Sequence, residues 1–102
     1  MSSSKQFKDF VLEQLKCLAG VSCKPMMGEF LLYCDNILFG GIYDDRFLIK
    51  ITNSNKKYDL SQEIPYKNAK PMYMVENLDD SEYLANLVKD TCLDLSKKGL
   101  KI

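Results

Sequence analysis

Residues 25–50 constrain the fold more than any other part of the chain. This segment reads PMMGEFLLYCDNILFGGIYDDRFLIK, and its three apolar runs are separated by two short polar pairs. Runs of this length are typical of strands, and polar pairs between them are typical of tight hairpin turns. The pairs are Asp35-Asn36 and Asp44-Asp45, residue types that tolerate the positive φ of a two-residue turn. We therefore predict an antiparallel β-meander.

The meander is predicted to contain four strands. They cover residues 21–27, Glu29–Cys34, Ile37–Tyr43 and Arg46–Ile51. Gly28 permits the first turn, and Pro25 predicts an edge position for the first strand because proline cannot donate to a ladder. Gly40-Gly41 lies within a strand, where glycine costs stability unless a bulge or a close approach requires it. We expect this strand to bend there, or a helix to cross it.

An amphipathic helix is predicted at each end of the chain. The first covers Ser4–Ala19, with Ser3 as its N-cap. The second begins after Asp79, with Glu82 completing a capping box, and ends at Gly99. Apolar residues recur in both at three- and four-residue spacing, which predicts one buried stripe on each helix.

The connection between the meander and the last helix is polar and weakly patterned. It is predicted to contain a short helical turn near Ser54–Leu60, capped by Asn53, and a final strand over Pro71–Glu76. The order of elements is therefore helix, meander, connection, strand and helix. This order predicts an α+β fold of two layers, with both terminal helices packed on the antiparallel sheet. We expect residues 1–102 to form a single domain.

Charge and cysteine content exclude several classes of function. The 14 basic and 14 acidic residues cancel, which argues against strong non-specific binding of nucleic acid. The four cysteines form no CxxC pair and the chain has no histidine, so we expect reduced thiols and no metal site. Without histidine or a glycine-rich phosphate motif, we expect neither enzymatic activity nor a cofactor. The lack of a long apolar run or a signal-peptide core predicts a cytoplasmic protein that does not enter membranes.

Two features are candidates for contact with a partner. Arg46, the only arginine, follows Asp44-Asp45, and a guanidinium suits bidentate contact with a carboxylate or phosphate. The alternative, which we favour, is structural: Asp44 bonds to backbone amides and Arg46 pairs with a neighbouring acid. The second feature is a group of apolar residues that could form an adaptable binding surface, although such residues are more often part of a core. Its members are the methionines Met26, Met27, Met72 and Met74 with the aromatic residues Tyr33, Phe39 and Tyr43.

Several short motifs follow one another along the chain. They are Pro25-Met26-Met27-Gly28, Leu38-Phe39-Gly40-Gly41, Asp44-Asp45-Arg46 with Lys50, Pro65-Tyr66, Ala69-Lys70-Pro71-Met72 and Leu78-Asp79-Asp80. Their order over about residues 5–97 resembles the N-terminal domain of the TfoX/Sxy family of bacterial competence regulators. The resemblance implies a two-layer fold like that of secretion chaperones, no catalytic residues, and a role in regulating DNA uptake or competence genes. The family in its fullest form adds a C-terminal helical domain, and we expect this chain to act without it.

Together these observations predict a non-enzymatic regulatory or adaptor module that acts through protein–protein contacts, made at the exposed edge of the sheet or at the apolar methionine and tyrosine face. The partner is a protein of unknown identity, and a homodimer is compatible with the same surfaces. The alternative is an accessory nucleic-acid-binding protein in transcription or DNA uptake, which would contact DNA weakly through scattered lysines. Those lysines are Lys56, Lys57, Lys67, Lys70, Lys97, Lys98 and Lys101.

Overall fold

The computed structural model describes residues 3–99, which form two α-helices and a six-stranded sheet. The elements are α1 (Lys5–Gln14), β1 (Val21–Met26), β2 (Glu29–Cys34), β3 (Ile37–Tyr43), β4 (Arg46–Ile49), a 3₁₀ turn (Lys56–Tyr58), β5 (Ser61–Glu63), β6 (Met72–Met74) and α2 (Ser81–Gly99). The strand order in the sheet is β1-β2-β3-β4-β6-β5, and every pairing is antiparallel. The predicted α+β fold, with an antiparallel sheet and a helix at each end, is confirmed.

Tight turns set the register of the meander. The pairs Met27-Gly28, Asp35-Asn36 and Asp44-Asp45 all have positive φ at both positions, the conformation that matches the twist of the flanking strands. Strands β1 to β4 are therefore consecutive neighbours, as predicted, although β4 ends at Ile49 rather than Ile51. Pro25 lies in β1 at the edge of the sheet, also as predicted.

The glycine pair in β3 accompanies a β-bulge. The register of β2 against β3 shifts at Phe39, immediately before Gly40-Gly41. A Cβ atom on Gly41 would lie 2.7 Å from the carbonyl oxygen of Phe30 and 2.8 Å from the ring of Tyr43. Helix α2 packs against the same strand. The expected irregularity at this point is therefore a bulge combined with a close approach that only glycine allows.

The N-cap of α1 is Ser4, and the prediction of Ser3 is wrong. The side-chain oxygen of Ser4 accepts a hydrogen bond of 3.1 Å from the backbone nitrogen of Phe7. The Ser3 hydroxyl is bonded elsewhere: it donates to the Glu29 carboxylate at 2.6 Å, and its oxygen accepts from the Asp45 nitrogen at 2.9 Å. Competition from these long-range partners moves the start of the helix by one residue.

Helix α1 ends at Gln14, before the predicted Ala19. The chain continues as a tighter turn, in which the Leu18 nitrogen donates to the Leu15 carbonyl oxygen at 2.9 Å. Leu15 is fully buried and Leu18 is almost so, which means that the predicted apolar stripe reaches the core beyond the helix. Gly20 follows with a φ of 90°, the left-handed conformation expected for it.

The N-cap of α2 is Asp80 rather than Asp79. Oδ1 of Asp80 accepts a hydrogen bond of 3.0 Å from the backbone nitrogen of Tyr83, and its carbonyl oxygen accepts one from Leu84. The helix therefore begins one residue later than predicted, at Ser81.

The polar connection contains a short strand that the sequence did not predict. Its three residues, Ser61–Glu63, are polar and give no alternating pattern, yet they pair with β6 at the second edge of the sheet. The predicted helical turn is the 3₁₀ turn Lys56–Tyr58, and the residue before it is Asn55 rather than Asn53. The predicted strand Pro71–Glu76 is found over Met72–Met74.

Both helices cover the same face of the sheet. Phe47 and Ile49 of β4 belong to the buried cluster that contains residues of α1 and α2. Leu48 between them is also fully buried but lies outside that cluster, because neighbouring side chains of a strand point to opposite faces. We call the face of the sheet that carries Leu48 the open face. Part of it is covered by the segment between β5 and β6, in which Pro65 is buried. Across residues 3–99, no helix has the length and apolarity needed to cross a membrane.

Candidate functional site

The open face carries six apolar side chains that are partly or largely exposed. Alternation along the strands points these side chains away from the helices. None of them belongs to the core cluster or to the side chains packed against it. They are Met26, Leu31, Tyr33, Leu38, Met72 and Met74. A sheet face of this composition is an apolar surface of the kind that can meet a partner.

Arg46 fastens the chain after β5 to this face. Its Nε donates to the carbonyl oxygen of Tyr43 at 3.2 Å, and its Nη2 donates to those of Ile64 at 3.1 Å and Pro65 at 3.3 Å. Its Nη1 lies 3.5 Å from Oε1 of Glu63, a looser ion pair. Most of the guanidinium donors are thus used within the chain. This geometry matches the structural interpretation of Arg46.

The Asp44-Asp45 turn is bonded to the N-terminal segment. The Glu29 carboxylate accepts from the Asp44 nitrogen at 3.1 Å, and the Ser3 hydroxyl accepts from the Asp45 nitrogen at 2.9 Å. Oδ1 of Asp45 accepts from the Ser4 nitrogen at 2.7 Å. The aspartate side chain that bonds to a backbone amide is therefore that of Asp45, not of Asp44 as predicted. Asp44 stands exposed beside it.

Two adjoining grooves cross the open face on either side of a tyrosine pair. The ring of Tyr66, which is 59% exposed, lies 5.9 Å from that of the buried Tyr43 at an angle of 50°. The methionine groove has a volume of about 560 Å³ and is lined by Met26, Met27, Glu29, Tyr43, Asp44, Pro65, Tyr66 and Lys67. The lysine groove has a volume of about 640 Å³ and is lined by Leu38, Gly40, Tyr43, Lys50, Ile51, Pro65, Tyr66, Ala69, Lys70, Pro71 and Met72.

The structure places the predicted interaction residues differently with respect to the two grooves. Met26, Met27 and Asp44 line only the methionine groove, Met72 lines only the lysine groove, Tyr43 lines both, and Asp45 and Arg46 line neither. Phe39 is fully buried in the core, so its place in the predicted apolar surface is wrong. Met27 is 96% exposed and Met26 is 39% exposed, so the alternative that places them in a core is wrong. Tyr43 is buried beneath Tyr66, as a core residue would be.

Sequence reasoning missed the walls of both grooves. Pro65 and Tyr66 contribute to each of them, and Lys50 and Lys70 face the second. Ile64-Pro65-Tyr66 is a run of three apolar or aromatic residues in a largely polar connection, and that contrast is the signal that could have found it. Nothing local in the sequence says which face of the sheet such a connection covers.

The cysteines do not form a reactive or metal-binding centre among the described residues. Burial raises the pKa of Cys23, and the charge of Lys8 offsets this only in part. Burial, reinforced by the adjacent Cys34, raises the pKa of Cys92 to about 12. Thiols with raised pKa values stay protonated at neutral pH and are poor nucleophiles. Within residues 3–99 there is also no group of three or more Cys, Asp or Glu side chains that could hold a metal ion.

The lysines proposed for contact with DNA differ in their surroundings. Lys56, Lys67 and Lys70 are exposed, whereas Lys57 pairs with the Asp90 carboxylate at 3.3 Å. Lys67 and Lys70 line different grooves. The side chains of Lys97 and Lys98 and the whole of Lys101 lie outside the described part of the chain.

The chain has a similar protein in a spirochaete. It is 29% identical over 80 residues to a protein of Spirochaeta aurantia described as an uncharacterised 12.7 kDa protein in the trpE 5′ region. The aligned region covers 76% of this chain and 70% of that protein. That description names no ligand, substrate or partner. No family model matches the chain.

Proposed function

We propose that this chain is a non-enzymatic regulatory or adaptor module that binds a protein partner through the methionine groove. The observation that carries the proposal is the exposure of Met27, which is 96% accessible at the tip of the β1–β2 turn. A turn of this kind needs a residue that tolerates positive φ, and Asn or Asp serves that need better than methionine. The methionine therefore has no structural advantage at this position.

The composition of the groove suits a protein surface better than a polar metabolite. Met26 and Met27 are flexible apolar side chains that adapt to different contact shapes. Tyr66, 59% exposed, offers an amphipathic ring of the kind that anchors many interfaces. Asp44 and Lys67 lie in the same groove and supply charges of opposite sign. An apolar centre with charged residues beside it is the usual anatomy of a protein interface.

The resemblance to the TfoX/Sxy N-terminal domain supplies the biological setting of the proposal. Three of the motifs that carry the resemblance contribute side chains to this groove: Pro25-Met26-Met27-Gly28, Asp44-Asp45-Arg46 and Pro65-Tyr66. The setting is regulation of competence or of transcription in the cytoplasm, with a transcription component or a second copy of the chain as partner.

The experiment that tests the proposal replaces Met27 by asparagine. Met27→Asn creates an Asn-Gly turn, which is the most favourable pair for this hairpin, so stability is maintained while the apolar contact is lost. Leu93→Asn is the matched control, because Leu93 is 59% exposed on α2 and lines neither groove. Affinity capture from the native cell is expected to recover a partner with the wild type and with Leu93→Asn, but not with Met27→Asn.

Sedimentation velocity on the same three proteins covers the case in which the partner is a second copy. A dimer that dissociates only in Met27→Asn supports the proposal. Capture and self-association that are unaffected by Met27→Asn would show that the methionine groove is not the binding surface.

A further inference from the structure

We propose that the lysine groove is a binding site for a small organic anion that carries an apolar or aromatic body. Its anionic group would lie at Lys50 and Lys70, and its body against Tyr66 and Met72. This inference does not rest on the protein-binding role of the methionine groove, because it concerns a different class of ligand and two lysines that lie outside that groove. Tyr66 borders both grooves.

The first support is electrostatic. Lys50 and Lys70 are the only charged residues that line the lysine groove, and no Asp or Glu lines it. Neither ammonium group forms an ion pair with a described residue, in contrast to Lys8, Lys16 and Lys57. In a chain with equal numbers of acidic and basic residues, a groove with two cations and no counter-charge has a local positive potential. An anion bound there lowers the repulsion between the two lysines.

The second support is the size and apolar lining of the groove. Its volume of about 640 Å³ lies within the range of sites that hold small molecules. Apart from the two lysines and the tyrosines, its lining is mainly aliphatic, with Leu38, Ile51, Ala69, Pro71 and Met72. A small inorganic ion would leave this apolar surface in water. An anion with a hydrocarbon or aromatic body would bury it, which adds about 25 cal/mol per Å² of apolar surface removed from water.

The third support is that the wall of the groove is fixed before any ligand arrives. Arg46 holds the carbonyl oxygens of Ile64 and Pro65 at 3.1 and 3.3 Å. Tyr66, the next residue, lies against the ring of Tyr43. A preformed wall reduces the entropy that a ligand must lose on binding. Since the guanidinium of Arg46 is occupied by these carbonyl groups, the two lysines are the charges left to meet the anion.

A pair of fluorescent probes tests the proposal directly. 1-Anilinonaphthalene-8-sulfonate is an aromatic anion, and N-phenyl-1-naphthylamine is the same ring system without the sulfonate. Each is titrated into the wild type, into Lys50→Gln/Lys70→Gln, and into the control Lys56→Gln/Lys89→Gln, whose lysines are exposed and line neither groove. We expect the Kd of the anionic probe to rise about tenfold or more in the groove variant only, which corresponds to about 1.4 kcal/mol. The Kd of the neutral probe is expected to stay unchanged.

Competition shows which anionic head group the site accepts. Benzoate and phenyl phosphate are each added against the bound anionic probe, with inorganic phosphate as the head group that has no body. Displacement by benzoate or phenyl phosphate, at concentrations where inorganic phosphate has no effect, supports the proposal. The two aryl anions distinguish a carboxylate from a phosphate ligand.

Three results would overturn the inference. The first is an equal Kd of the anionic probe in all three proteins. The second is equal affinity of the wild type for the charged and neutral probes, which would indicate an apolar patch only. The third is an equal loss of affinity for the charged and the neutral probe in Lys50→Gln/Lys70→Gln. Met27→Asn separates this proposal from the protein-binding one, because it is expected to bind the anionic probe as the wild type does.

Discussion

At the level of single residues, Arg46 links the end of β3 to the chain that follows β5. Its planar guanidinium donates hydrogen bonds to the carbonyl oxygens of Tyr43, Ile64 and Pro65. A lysine ammonium group could not reach all three oxygens together. Without these bonds, the carbonyl groups and the segment that carries Pro65 would lose their fixed position over the sheet. The side chain therefore acts on both grooves by shaping their shared wall.

Replacement of Arg46 by lysine is expected to destabilise the protein although the charge is kept. An ammonium group can replace only part of the three carbonyl contacts, so we expect the free energy of unfolding to fall by about 2 kcal/mol. Arg46→Ala should cost at least as much. The measurement is equilibrium unfolding in urea, with Lys56→Ala as the control for loss of an exposed charge. Wild-type stability of Arg46→Lys would contradict the structural interpretation of this residue.

Tyr58 makes the stability of the protein depend on pH in the alkaline range. Its hydroxyl donates to Oδ2 of Asp90 at 2.6 Å. Burial and then this hydrogen bond raise the pKa of Tyr58 from 10.0 to about 12. A raised pKa stabilises the folded state fully below pH 10.0, and this contribution is lost as the pH rises towards about 12.

The same hydrogen bond, followed by Lys57, lowers the pKa of Asp90 below 3.8. The lowered pKa of Asp90 stabilises the folded state above pH 3.8, and this stabilisation is lost as the pH falls below that value. We therefore expect Tyr58→Phe to lower the free energy of unfolding by about 1 kcal/mol between these limits. The difference from the wild type should shrink at both extremes. Urea midpoints measured across pH test this, with Tyr66→Phe as control, and a difference independent of pH would refute it.

At the level of elements, the sequence predicted what is decided locally. Asp35-Asn36 and Asp44-Asp45 were identified as turns because their backbone preference is a property of the residues themselves. Helix starts were predicted one residue early, since the choice between adjacent capping residues depends on partners far along the chain, such as Glu29 for Ser3. Strand β5 was missed because its pairing with β6, and not its own pattern, makes it a strand.

Adjacent aspartates at the start of α2 give a direct test of the cap. Asp80 accepts the hydrogen bond from the Tyr83 nitrogen, whereas Asp79 lies one residue outside the helix. Asp80→Ala is expected to lower the free energy of unfolding by about 1 kcal/mol, and Asp79→Ala by much less. Thermal unfolding followed by circular dichroism measures both. Equal losses would mean that charge near the helix start matters more than the cap itself.

A buried amide is one of the links between the chain that follows β4 and α2. Nδ2 of Asn55 donates to the Lys50 carbonyl oxygen and to Oγ1 of Thr91, both at 2.8 Å. Its Oδ1 accepts from the Thr52 nitrogen at 3.0 Å. The sequence analysis chose Asn53, and not Asn55, as the residue that caps the short turn. The two asparagines lie in the same polar stretch, and the sequence of that stretch does not show which of them has buried partners.

Truncation of Asn55 is expected to be the most damaging of these substitutions. Asn55→Ala removes the partner of the buried Thr52 nitrogen, the partner of the Lys50 carbonyl oxygen and one of the two partners of the Thr91 hydroxyl. We therefore expect the free energy of unfolding to fall by about 3 kcal/mol. Asn53→Ala, at an exposed position, should change it by less than about 0.5 kcal/mol. Urea unfolding of both variants decides the point. Similar values for the two asparagines would show that the buried network contributes little.

At the level of the whole molecule, the two faces of the sheet have different roles. One face packs the helices over a continuous core that includes Phe39, Phe47 and Leu84. The other face carries methionine and tyrosine side chains in two grooves. Each groove is lined partly by the segment between β5 and β6. The sequence could identify the methionines as candidates, but it could not predict the grooves, because their shape depends on where the chain between β5 and β6 crosses the open face.

The distribution of charge over the molecule predicts weak and salt-sensitive contact with DNA. Lys67 and Lys70 are separated between two grooves, Lys57 is paired with Asp90, and the net charge of the chain is zero. Each phosphate contact contributes about −0.9 to the slope of the logarithm of the association constant against the logarithm of the salt concentration. A protein that makes few such contacts therefore gains little affinity from them.

Fluorescence anisotropy with a labelled duplex should therefore detect binding at about 0.05 M salt and lose it by about 0.2 M. Lys67→Gln/Lys70→Gln should reduce the slope by about 2 units if these lysines make the contacts. Binding that persists at the higher salt and depends on base sequence would instead make nucleic acid the primary partner, and would contradict a function based on protein contacts.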